Sequence, residues 1–209
     1  MRIVRRILLL GVVLGVVYGL CLLYPEPFFR VRTRAGALSV YAPSAAPAAL
    51  LQEVQGLLGR SPLYDPSLRQ RVFICASKAQ FAFFARGRTE LAGLCDDRLT
   101  GNVFIRPADL ARSRLLGVSG WVDPRPLSFF IAHEITHHLE ARYVGRWNLR
   151  VPAWLWEGYA DYIGWGGRRP ILSDRYASYV AYLLDQEHRD IRELLRNPPA
   201  EDSVAAAAN

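Results

Sequence analysis

The sequence predicts an α+β domain, a small mixed sheet followed by a helical half, carried behind one N-terminal transmembrane helix. Three observations lead there. Residues 7–24 are apolar and uncharged after an arginine-rich start. Segments of strand composition fall between residues 38 and 106, and from Arg125-Pro126 onward the apolar spacing turns helical. Strands first and helices later separate the sheet from the helices, as in α+β architecture. At 209 residues, less its two ends, the chain has room for one domain with a single sizeable core.

The N-terminal segment comes first. Arg2, Arg5 and Arg6 precede the run Ile7 to Tyr24, about 18 residues long and near the lower limit for a helix that crosses a bilayer. The run is long for a signal-peptide core and no small-x-small cleavage pattern follows it, so residues 1–24 read as an uncleaved signal anchor. The positive-inside rule then keeps the basic end in the cytoplasm and places the domain on the exported side, periplasmic or extracellular. Cys21 offers lipid attachment as an alternative, but Leu20 before it is larger than the small residue such a site takes.

Pro25-Glu26-Pro27 breaks the helix and opens a juxtamembrane connector over residues 25–37. The domain proper is expected over 38–196. Within it, Leu38 to Tyr41 reads as a strand and Pro47 to Leu58 as a helix ending at Gly59, with Leu50, Leu51, Val54, Leu57 and Leu58 at helical spacing. Arg71 to Ala76 reads as a buried strand, Lys78 to Ala85 as a short helix, and Asn102 to Arg106 as a strand stopped by Pro107. Four helices follow: Leu127 to Tyr143, Pro152 to Ile163, Ser173 to Gln186 and Ile191 to Leu195. The tail 197–209, with Pro198-Pro199 and Ala205 to Ala208, has little to build a core from and is expected to be disordered.

The formal net charge of +7 is almost wholly arginine, Lys78 being the only lysine, and several arginines flank the apolar run, Arg30, Arg32 and Arg34 behind it. No nucleic-acid motif accompanies them, so no nucleic-acid partner is expected. Cys75 and Cys95 are the cysteines of the exported part. An oxidising compartment permits them to pair, and two small buried hydrophobes is the alternative.

The chemistry is concentrated in His133-Glu134-Ile135-Thr136-His137. Residues four apart share a helix face, so His133 and His137 can present their imidazoles to one metal ion. Glu134 is displaced around the helix, where its carboxylate reaches a water beside the metal instead of the metal itself. Catalytic zinc takes three protein ligands. Glu157, in a second helix opened by Pro152, is the candidate third. Asp161, one turn further on, can accept the outward N–H of a liganding histidine, or is no more than an i,i+4 neighbour. His138, about 100° from His137, reads as an ordinary, partly exposed histidine, and the tryptophans read as core.

The pairing of His133-Glu134-Ile135-Thr136-His137 with Trp154-Leu155-Trp156-Glu157-Gly158 and Asp161 resembles the gluzincin metallopeptidases, the thermolysin-like, peptidase MA-like clan whose third ligand is a glutamate. The resemblance covers Leu127 to Gly164, under a fifth of the chain. A third histidine of the metzincin type is absent, since His188 is the next after His138. The resemblance implies a zincin-like fold, Zn2+ on His133, His137 and Glu157, and hydrolysis of peptide bonds in a peptide or protein substrate with Glu134 as general base. It further implies that the strand Asn102 to Arg106 is the sheet edge on which substrate pairs. Finally it implies that a His or Tyr of the following helix steadies the oxyanion. Tyr179 and His188 are the candidates, with Tyr176 and Tyr182 beside them, although a solvated helix end and a packing stripe are the plainer readings. The alternative function is a zinc-stabilised, non-catalytic binding module anchored at the membrane; Glu134, which a purely structural site does not need, favours the enzyme.

Overall fold

The apolar N-terminal run forms a single helix, α1 (Arg2–Leu23), whose side chains are exposed along most of its length. Its stretch Val4–Leu23 is long and apolar enough to cross a membrane, a property that a signal sequence shares. The structure is a computed structural model that describes residues 2–117, 124–147, 150–167 and 175–208. After a 3-10 turn at Glu26–Phe28 the chain enters the sheet at β1 (Val31–Ala35), seven residues before the expected start of the domain. Part of the expected connector, Val31–Ala35, is therefore a sheet strand. Its alternating half-buried and exposed side chains are those of an edge strand, a pattern too weakly apolar to stand out in the sequence.

The sheet is mixed and five-stranded, in the order β1-β2-β3-β5-β4. β1 runs antiparallel to β2 (Leu38–Ala42); β2, β3 (Gln70–Ile74) and β5 (Asn102–Ile105) are parallel; and β4 (Gly93–Cys95) closes the far side antiparallel to β5. The expectation that Asn102 to Arg106 is the sheet edge is thus corrected: β5 is interior and the short β4 is the edge. Three residues with one glycine give too little strand signal to be read in advance. The connection α2 (Ala48–Leu58) joins β2 to β3 and α3 (Lys78–Phe84) follows β3.

Alternation along the central strands builds two cores. Tyr41, Phe73 and Phe104 lie in register across one face, their rings stacked at 4.8 and 5.4 Å, and Phe81 and Phe84 of α3 cover them. Burying each such ring contributes on the order of 2 kcal/mol. Val40, Val72, Ile74, Val103 and Ile105 point the other way, into the larger core under the helices. Cys75 belongs to the first face and Cys95 to the second, so the sheet separates them and both thiols are free.

The helical half consists of α4 (Leu127–Val144), α5 (Ala153–Gly164), α6 (Arg175–Ala181), α7 (Ile191–Arg196) and α8 (Glu201–Ala208). α4 and α5 both start directly behind prolines, which lack the N–H that a first helical turn leaves unpaired. α4 is buried almost all round, between the sheet, α2 and α5. Several of its buried polar side chains find partners there, Thr136 donating to the Ala132 carbonyl at 2.8 Å. The helix expected over 173–186 is α from Arg175 and ends in a π turn at Tyr182–Gln186, its first two residues lying outside the described ones. The tail is not disordered: α8 folds back on α6, with Val204 only 3% exposed. Four alanines give it helix propensity, and buried Val204, with Ala205 and Ala208 packed against the same core, supplies the docking contact that composition did not reveal. Two tryptophans depart from the core reading. Trp147 is 70% exposed and Trp156 is partly exposed, while Trp121 lies outside the described residues.

Candidate metal centre

Helical spacing sets His133 one turn before His137 on α4, and α5 crosses to bring Glu157 opposite them. The two Nε2 atoms stand 3.1 Å apart, and each lies 3.6 Å from Glu157 Oε2. The centre of that triangle is about 2.0 Å from every corner, the distance at which a small divalent cation takes imidazole nitrogen and carboxylate oxygen. The three donors thus fit one ion and leave its cavity side open. Gly158 makes the approach possible. A Cβ there would fall 2.6 Å from the Tyr176 carbonyl oxygen, so the glycine lets α6 press on the back of α5 and holds Glu157 forward.

Both histidines are oriented from behind by carboxylates. His133 Nδ1 donates to Asp161 Oδ1 at 2.7 Å and His137 Nδ1 donates to Glu140 Oε2 at 3.0 Å, leaving both Nε2 atoms facing the centre of the triangle. The sequence reading missed Glu140, although its signal was there: three residues after His137 is the same helix face. Glu140 is wholly buried, and among the described residues its other oxygen has no hydrogen-bond partner. Trp156 stacks its indole on the His137 ring at 5.6 Å with the planes 7° apart, which fixes the ring from the third side.

Burial and neighbouring charge act on the donors in opposite directions. Burial, helped by the neighbouring His137, lowers His133 to about 4, so it is neutral at physiological pH. Burial alone would lower His137 as well, but Glu140 and Glu157 together outweigh it and raise this histidine well above its ordinary value. Burial likewise lifts Glu140 to about 8, against the hydrogen bond from His137. Glu157 is held below the ordinary carboxylate value, because its contacts with His137 and His133 exceed the cost of partial burial.

Glu134 lies beside the triad and under β4. Burial raises its pKa, the two histidines draw it partly back, and the Cys95 backbone N–H donates to it. Its place depends on Gly93: a Cβ on that residue would come within 2.7 Å of Glu134 Cγ and Oε1 and 2.8 Å of Ile105 Cδ1. Glu134 and the three donors line one cavity of about 610 Å³, together with Gly93, Leu94 and Cys95 of the edge strand. Arg125 lines it too, its guanidinium 4.8 Å from the ring centres of both Phe129 and Phe130.

The candidates for oxyanion stabilisation are placed elsewhere. Tyr179 is buried edge-on to Trp154 at 6.4 Å, and His188 is exposed in the turn between the π turn and α7 at φ 53°. Neither lines the cavity. Tyr179 faces inward because α6 presents that side to the core, and the left-handed residue His188 turns the chain toward α7. His138 is also not the exposed residue expected. It is 4% exposed, pairs with Gln70 across the α4–sheet interface at 3.1 Å, and takes no part in the cavity.

No family model matches the chain, and no curated protein matches it. The site is therefore read from its own geometry.

Proposed function

We propose that the chain is a membrane-anchored, exported zinc peptidase of the gluzincin type, hydrolysing peptide bonds in the cavity between β4 and α4. One observation carries the reading: a second carboxylate, Glu134, stands beside a two-histidine, one-glutamate triad without belonging to it. A site that only holds a metal has no use for that residue. Two imidazoles and one carboxylate with an open fourth position suit zinc, and zinc bound there would acidify a water and polarise a carbonyl. Glu134 takes the proton of the attacking water and hands it to the leaving amine; burial keeps its proton affinity high enough for both steps. The exposed side of β4, the sheet edge beside Glu134, takes the substrate as an added strand, main chain to main chain. Arg125 supplies the positive charge beside His133 for the developing oxyanion.

The test uses the full chain in nanodiscs, loaded with zinc and presented with a mixed peptide pool. Wild type cleaves and Glu134→Gln retains the metal but loses about 10²–10⁴ of the rate, as removal of a general base does. Equal cleavage by both overturns the peptidase reading. Stoichiometric zinc with no cleavage by wild type points instead to the binding module.

A further inference from the structure

The domain meets α1 inside its apolar stretch, not beyond it. Tyr18 lies five residues before the end of α1, about 7.5 Å along the axis at the α-helical rise. Its hydroxyl donates to the Phe83 carbonyl at 2.7 Å, and the two rings meet edge-on at 5.0 Å. Asn102 Nδ2 donates to the Leu22 carbonyl at 3.0 Å and Gln80 Nε2 to the Phe28 carbonyl at 2.9 Å, while Leu22 packs against the cluster that holds Phe84 and Phe104. These contacts fix helix and domain as one body. A bilayer that covers α1 to its end must reach Phe83 as well.

Around this junction the surface has the composition of a membrane interface. Tyr24, Phe28 and Phe83 are exposed beside α1. The turn that leads into Asn102 carries exposed Leu99, whose carbonyl accepts from Arg146. Trp147 follows, with the Arg98 guanidinium 5.5 Å from its ring centre. Among the described residues, Leu116 is the one large exposed apolar side chain outside α1 that does not belong to this group. Aromatic rings settle at headgroup depth and arginines pair with anionic headgroups.

We propose that this underside is a seat on an anionic lipid bilayer, with Phe83 and Trp147 in the interfacial layer. The inference rests on the reading of α1 as a retained span. Arg86 and Arg88, three and five residues after Phe83, line the cavity of the metal site. Seating the underside therefore sets one rim of that cavity at headgroup height, where it reaches polypeptide close to the membrane surface.

The experiment reconstitutes the full chain in vesicles of phosphatidylglycerol and phosphatidylcholine whose acyl chains are brominated near the headgroup, a quencher of indole emission. Wild-type emission is expected to be quenched, Trp147→Phe to lose most of the quenched component, and Phe83→Trp to add to it. Identical quenching in wild type and both variants, with the protein resistant to alkaline carbonate extraction, overturns the seat and leaves the span standing. Extraction by carbonate overturns the span and the seat with it. Quenching undiminished in pure phosphatidylcholine overturns the demand for anionic lipid.

Discussion

At the scale of single residues, the site is tuned as much by what is missing as by what is present. Gly93 has no side chain because Glu134 fills that space. Gly93→Ala is expected to cost about 1–3 kcal/mol through overpacking. It also moves Glu134, so peptide turnover falls further than zinc content does, a split that parallel activity and metal assays read directly. Cys75 tests the sheet core in a different way. Burial pushes its thiol up to about 12 from 9.0. A raised pKa makes a contribution that is intact below the unfolded value and lost as pH climbs: above 9 the unfolded thiol ionises and the folded one does not. Wild type is thus expected to lose on the order of 4 kcal/mol more than Cys75→Ala between pH 9 and 12, measured by denaturant titration across that range. Equal slopes would show the thiol to be solvated.

Among elements, spacing within one helix was legible and placement between helices was not. His133 and His137 share a face by periodicity alone, and Glu140 obeys the same rule. Proline starts and apolar stripes located α2, α3, α4, α5 and α7 to within a residue or two of their observed ends. Short or half-exposed pieces escaped: β1 alternates weakly, β4 is three residues long, and α8 docks through Val204 and small alanines. The last point is open to test. Val204→Ala should lower stability by about 1 kcal/mol, and truncation before Glu201 should do at least as much by uncovering α6, both visible as a fall in Tm. No change in either would mean that α8 contributes nothing to the fold.

For the whole molecule, a metal held by the triad would tie together two helices that are otherwise joined by packing and the His133–Asp161 hydrogen bond, since His133 and His137 belong to α4 and Glu157 to α5. An ion that binds the folded chain and not the unfolded one stabilises it by mass action, about 2.7 kcal/mol at a hundredfold excess over Kd. Zinc is therefore expected to raise Tm by about 5–10 °C for a chain of this size, a chelator to reverse the gain, and His137→Ala to show none of it. The sequence by itself determined the apolar N-terminal helix, the α+β order and the histidine pair with its adjacent glutamate, because each rests on interactions between residues close along the chain. Only the tertiary structure decided that Glu157 closes the triad, that β4 and not β5 is the sheet edge, that Tyr179 and His188 lie outside the cavity, and that the sheet parts Cys75 from Cys95. Those outcomes depend on how helices cross and strands order, which long-range packing sets and local pattern does not encode.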